Sequence, residues 1–404
     1  MGGRRPTAVQ GCLGLSVGVG ADRLGVSSDD PDLDVAWLAD RVRALFRHTV
    51  PYDEICVGLT DPLTGLITAV QNRRPPVPPE TYLETEYVAP DVNRVAWLGV
   101  QSDPVGVLSA ATAGKLVSSN RYRWVLRPSG VRHELRAALV DQGLRWGFLT
   151  LLRGPELPDF SPVEAGLVRS ALPELVRDLR TTLLRTSTRV VAERPSGVAL
   201  IGVGGLVEEA SPAAEGLFAQ LASYQSEVGL ALPVPVATMA ASLRAPGARE
   251  SRRALLRDPD GGWLVLTGRR LASAGAWSRV VVSFEPASPM DVAPLVLRTR
   301  GLTDRQLAVA MCVLRGMTNA EIADDLGISV HTVQDHLKAN FAKVGVQSRR
   351  ELVRMVFRSG YSERGDRGYS ERVERGCPER LERRGSAEGW QRAAHRGGTE
   401  QRCR

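Results

Sequence analysis

Three segments of the form Ser/Thr-x-x-Glu/Gln fall within 50 residues near the end of this 404-residue chain, and they leave little freedom in how that stretch folds. Thr303 with Gln306, Thr318 with Glu321 and Ser348 with Glu351 each set a capping hydroxyl three residues before a side chain that can reach back to the cap's own N–H. Behind the first lies an apolar stripe of Leu307, Ala310, Met311 and Leu314, ended by Arg315-Gly316. Behind the second, Ile322, Ala323 and Leu326 precede Gly327, which stops the helix within two turns. Ser329 caps a third helix whose apolar face is Val330, Val333, Leu337 and Val344. The last box opens a helix carrying Leu352, Val353, Met355 and Val356. Four helices of this spacing predict a small all-α domain over residues 296–358.

A short helix, the tight turn Leu326-Gly327-Ile328-Ser329 and a longer helix make a helix-turn-helix, in which the turn lets the second helix enter the major groove of DNA. The outer face of that helix offers His331, Thr332, Gln334, Asp335, His336, Lys338 and Lys343. Two of the chain's three lysines are here, in a sequence that otherwise uses arginine for positive charge. Charge is also uneven along the chain. Residues 298–357 hold nine basic and six acidic groups, and residues 358–404 hold twelve arginines against eight acids. Because the whole chain is +7, the first 297 residues are neutral, and any attraction for a polyanion belongs to the C-terminal quarter.

Leu302-Thr303-Asp304-Arg305-Gln306, the run Arg315 to Ala323, the run Leu326 to Val333 and the continuation through Lys343-Val344-Gly345-Val346-Gln347-Ser348-Arg349 together resemble the LuxR-type DNA-binding domain. The resemblance implies that the helix from Val330 is the recognition helix and that the helix from Arg349 supports dimerisation through Leu352, Val353 and Val356. It puts base-reading positions on Gln334, Asp335 and Lys338, and phosphate contacts on Thr318, Ser329, Thr332, His336 and Lys343. The side chains suit those roles: Gln reads adenine, Lys reaches guanine, and Asp accepts from cytosine. Two departures stand out. Gln306 replaces the usual Glu, and Asn340 replaces an apolar residue, so that this position is expected to be exposed or locally weak.

Upstream, the chain reads as two α+β units. In residues 32–186, a helix from Asp34 to His48 precedes strands at Glu54–Leu59 and Gly65–Val70, and residues 73–92 are proline-rich and expected to form a long loop. A hairpin over Glu134–Val140 and Trp146–Leu152 follows, then Ser161-Pro162-Val163-Glu164 opens a helix with Leu167, Ala171, Leu175 and Leu179 on one face. In residues 195–288, strands at Val198–Gly202 and Leu206–Ala210 flank the turn Val203-Gly204-Gly205. A helix from Ser211-Pro212 comes next, then strands at Ala254–Arg257, Trp263–Arg270 and Arg279–Glu285. The first unit resembles GAF-like domains and the second resembles PAS-like folds, both sensory in kind. Residues 1–31 and the Arg/Glu/Gly-rich residues 359–404 are expected to be disordered.

No apolar run reaches the roughly 18 residues of a membrane helix. The five cysteines form no CxxC pair, which fits a reduced cytoplasm and no metal site. Catalysis needs clustered His, acids or a nucleophile; His48, His133 and His395 stand isolated, so neither an enzyme nor a cofactor is expected. The sequence therefore predicts a cytoplasmic, dimeric transcription regulator. Its expected partners are double-stranded DNA, a second copy, RNA polymerase and an unidentified small-molecule or protein signal. The rival reading is a sensor or scaffold whose helix-turn-helix binds DNA weakly or not at all.

Overall fold

The computed structural model describes residues 35–71, 78–185, 195–202, 205–223, 232–257, 262–271 and 279–358. The leader, the tail and the turn at Val203-Gly204 lie outside these residues.

The first unit is a five-stranded antiparallel sheet of order β2-β1-β5-β4-β3, built from β1 (Glu54–Thr60), β2 (Ile67–Gln71), β3 (Val105–Val107), β4 (His133–Asp141) and β5 (Leu144–Arg153). Alternation along the strands gives the sheet two different faces. Val57, Leu135, Ala137, Leu139, Leu149 and Leu151 pack against helices α1 (Val35–Phe46) and α5 (Pro162–Arg185). Between β2 and β4, among the described residues, short helical turns flank β3: α2 (Pro79–Leu83), a π turn at Glu84–Val88 and α3 (Val95–Leu98) before it, α4 (Leu108–Ala111) and a second π turn at Tyr122–Leu126 after it. The expected long loop over 73–92 is thus partly helical from Pro79 onward; a proline at the first helical position starts a helix as readily as it breaks one.

The reverse face of this sheet is polar at its centre. Arg121 donates to Glu134 through Nε (3.0 Å) and Nη2 (2.7 Å), and Arg136 donates to Glu86 (2.9 Å) and to the Tyr82 hydroxyl (2.8 Å). All four charged side chains are buried. The guanidinium groups also hold consecutive carbonyls, Arg121 on Val92 and Arg136 on Asn93, so the two pairs form one cluster. Cys56 lies beside it, and burial pushes its thiol up to about 12, which keeps it protonated and unreactive.

The second unit is another five-stranded antiparallel sheet, of order β7-β6-β10-β9-β8. Its strands are β6 (Gly197–Ile201), β7 (Val207–Ala210), β8 (Ser251–Arg257), β9 (Trp263–Arg270) and β10 (Val280–Pro286). One face packs on α6 (Pro212–Ser223) and α7 (Val234–Arg244). From the other face, Leu255, Trp263 and Val265 join the core of the first unit. The sequence showed no helix at α7. Every residue from Val234 to Leu243 is buried, so the segment has no polar face to reveal a period. It lies between β2 and β9, and Thr238 Oγ1 donates to Ile67 O at 2.6 Å.

The remaining helices are α8 (Pro289–Thr299), α9 (Asp304–Leu314), α10 (Asn319–Leu326), α11 (Val330–Val344) and α12 (Arg349–Arg358). Pro294 interrupts the pattern of α8 and hides it in the sequence, yet Ser288 and Asp291 close a full capping box at its start. Its side chains divide between two cores. Ala293 and Leu297 belong to the core of α9–α12, whereas Leu295 and Val292 pack into the core of the first unit. Two expected stripes hold in part, each with one position on the solvent side. In α5 the buried positions are Ala165, Val168, Leu172, Leu175, Val176 and Leu179, leaving Leu167 exposed. In α11, Val330 is exposed and the buried row is Val333, Leu337, Asn340 and Val344.

Candidate nucleic-acid interface

Local hydrogen bonds set the ends of the C-terminal helices as the sequence indicates. Thr303 Oγ1 accepts from Gln306 N (3.4 Å) and Gln306 Oε1 accepts from Thr303 N (3.0 Å). Thr318 and Glu321 do the same at α10, and the Thr318 backbone N–H and hydroxyl hold the Glu321 carboxyl below its usual range. Ser348 Oγ accepts from Glu351 N, but the carboxylate reaches Gln347 N rather than that of Ser348. Gly327 takes the left-handed conformation at φ 60°, which ends α10 after eight residues and aims the chain into α11.

Because Val333, Leu337 and Val344 face inward, the opposite face of α11 points outward. Gln334, Asp335 and Lys338 share that face and are all exposed. Gln334 and Lys338 have no hydrogen-bonding partner among the described residues. Asp335 lies 3.7 Å from His331 one turn earlier, with both side chains open to solvent. The three base-reading candidates are therefore brought together on one exposed face, with Asp335 alone having a neighbour of opposite polarity, His331.

The phosphate-contact candidates are placed in three ways. Thr318 caps the N-terminal end of α10, and Ser329 and Thr332 lie at that of α11, where the helix dipole favours an anion. Ser329 Oγ accepts from Thr332 N at 3.0 Å and lies 2.8 Å from Thr332 Oγ1. His336 is half-buried on the side of α11. Lys343 is placed otherwise: its Nζ donates to Gly301 O and to Gln306 Oε1, each at 2.8 Å.

Two sequence expectations need correction. Asn340 is not exposed but fully buried; its Nδ2 donates to Gln306 O at 2.9 Å, and its Oδ1 has no partner among the described residues, a local cost in line with the expected local weakness. Leu352 and Val356 are buried in the domain's own core and Val353 is half-buried, so a dimer contact through α12 would use Arg350, Glu351 and Arg354 on its outer side. Sequence reading also passed over two braces. Arg305 Nη2 donates to Leu326 O at 2.7 Å, and Arg349 donates to Met317 O at 2.6 Å and to Asn319 Oδ1. Both tie α10 to its neighbours; arginine in a capped, charged helix gives no pattern that separates a brace from a solvated side chain.

Among the described residues, no group of His, Cys, Asp and Glu could hold a metal ion, and no helix is long and apolar enough to cross a membrane.

A packed four-helix unit that presents one polar helix face behind a tight glycine turn defines a helix-turn-helix domain. Residues 300–356 match the family model described as bacterial regulatory proteins, luxR family, and this part of the chain is a luxR-family helix-turn-helix domain. The chain is similar to the HTH-type transcriptional activator RamA of Corynebacterium glutamicum, at 37% identity over 65 residues. That stretch is 16% of this chain and spans about a quarter of the relative's length (23%). Solved structures that resemble it include the VqmA–ligand–DNA complex of Vibrio cholerae, at 18% identity and a TM-score of 0.21 over 42% of this chain and 86% of that one. Another is SdiA of Escherichia coli, at 12% identity and a TM-score of 0.27 over 79% of this chain and 88% of that one. At such low values the upstream units stand on their own geometry: two antiparallel sheet domains preceding the helical domain.

Proposed function

We propose that this chain is a sequence-specific, DNA-binding transcription regulator whose recognition helix is α11. The observation that carries the reading is the exposed face of α11 bearing Gln334, Asp335 and Lys338 in a luxR-family domain. Lys338 reaches guanine, Gln334 reads adenine, and Asp335 accepts from cytosine while repelling phosphate, so that it contributes selectivity more than affinity. Thr318, Ser329, Thr332 and His336 fix the register on the backbone. The protein acts as a dimer on a two-fold symmetric site with half-sites about one helical turn apart.

The two sheet domains are GAF-like and PAS-like sensory units that bias this dimer in response to a small molecule or a protein, and the regulator communicates with RNA polymerase. The relative named a transcriptional activator supports the regulatory reading of the helix-turn-helix domain. The protein is not an enzyme, and it works in the cytoplasm, where its DNA is.

Lys338→Ala tests the docking of α11. Affinity for the selected site is expected to fall by about 1–3 kcal/mol and base preference to relax at one position. Selection from a randomised duplex pool, followed by titration of the enriched sequence, reads both. If Lys338→Ala matches wild type in affinity and preference, α11 is docked wrongly.

A further inference from the structure

The two positions at which the sequence departs from the luxR pattern, Gln306 and Asn340, meet in the folded domain, and Lys343 meets them there. Gln306 is the hub. Its backbone carbonyl accepts from Asn340 Nδ2 at 2.9 Å, and its side-chain Oε1 accepts from Lys343 Nζ at 2.8 Å and from Thr303 N at 3.0 Å. Lys343 Nζ also donates to Gly301 O at 2.8 Å, in the turn that leads into α9. Two successive turns of α11 are thereby fastened to the N-terminal end of α9. The ammonium of Lys343 spends two of its three N–H donors on these acceptors. A lysine that bridges DNA phosphates from this rotamer would have to leave both of them.

We infer that Lys343, Gln306 and Asn340 form a latch that sets the tilt of the recognition helix, and that Lys343 is a positioning residue rather than a phosphate contact. The inference rests on the DNA-binding reading above. It assigns Lys343 a role opposite in its consequences to the one its charge suggests. Gln334, Asp335 and Lys338 read bases only if α11 meets the groove at one angle, because contacts to base edges are directional whereas attraction to phosphate is not. The latch lies at the C-terminal half of the same helix, on the side that faces α9. Loss of the latch lets that end swing, which spoils base contacts and leaves the electrostatic attraction as it was. With Gln at position 306 the joint is neutral against Lys343; a Glu there would make it an ion pair.

The salt dependence of binding separates the two roles. Full-length wild type and Lys343→Met are titrated on the site enriched by wild type and on a scrambled duplex, each across a range of salt. For a latch, the slope of log K against log salt stays the same on both duplexes. Affinity for the scrambled duplex is unchanged, and the ratio of specific to scrambled affinity falls roughly tenfold. Gln306→Ala, which alters no charge, lowers the ratio in the same way, the double variant is no worse than either single one, and Gln306→Glu, which keeps the cap and the acceptor, retains the ratio.

A slope reduced by about 0.9, with equal weakening on both duplexes, would make Lys343 a phosphate contact and overturn the inference. Should Gln306→Ala fold poorly, the Lys343→Met slope and the Gln306→Glu ratio still decide. If wild type prefers no sequence, the proposed function fails and the positioning role fails with it. That outcome differs from failure of the latch alone, in which wild type and Lys343→Met select the same site equally well.

Discussion

Glu134→Ala is expected to destabilise the first sheet domain by about 3–5 kcal/mol, a large share of the roughly 5–15 kcal/mol that holds a typical domain folded. Arg121 is fully buried, and its Nε and Nη2 both rely on Glu134. Removal of the carboxylate strands a guanidinium that already has one unpartnered nitrogen, Nη1. A full positive charge then sits in a low-dielectric interior with only Val92 O to accept from it. Arg121→Met with Glu134→Leu is expected to recover most of the loss, since the charge and its partner go together and only Val92 O is left short. Denaturant unfolding of wild type, the single variant and the double variant measures this. A single variant within about 1 kcal/mol of wild type would mean that water reaches the pair.

The second large effect is expected at α8. Leu297 is fully buried; it fills the base of the helix-turn-helix beside Ala293, while Leu295 on the same helix fills the core of the first unit. Leu297→Ala is expected to cost about 2–5 kcal/mol through lost burial and the cavity left behind. Hydrogen exchange should place the loss in α9–α12. Leu295→Ala is expected to cost a similar amount but to loosen the first sheet domain. A helix that supplies both cores makes the DNA-binding unit part of the body of the protein rather than a bead on a linker. If either substitution affects both regions equally, the two cores unfold as one cooperative unit.

The helix-turn-helix was legible because its signals are local. A capping box needs two residues three apart, and a glycine that stops a helix needs only itself. Most strands are legible for a similar reason, as at Glu134–Val140, where inward and outward residues alternate around a turn, but the three-residue β3 is too short to show a period. What escaped is what depends on the rest of the fold. Helix α7 is apolar all round because it lies between two sheets, so no sequence period could disclose it. Helix α8 hides behind Pro294, although its box at Ser288 and Asp291 is as complete as that at Thr303. Leu167 looked like a core residue and is exposed, because Val168 and Leu172 place the buried stripe one position further round. Asn340 looks from sequence alone exposed or locally weak; its partner Gln306 lies on another helix, 34 residues away in the chain, and no local pattern joins them.

The account's central claim is that α11 reads DNA sequence. The most direct test is selection of genomic fragments by the purified full-length protein at two salt concentrations, read by sequencing. Enrichment of one two-fold symmetric motif that persists at the higher salt is the predicted result, and the half-site spacing would then give the dimer geometry. Uniform binding that vanishes at the higher salt, or no binding at either, would contradict it.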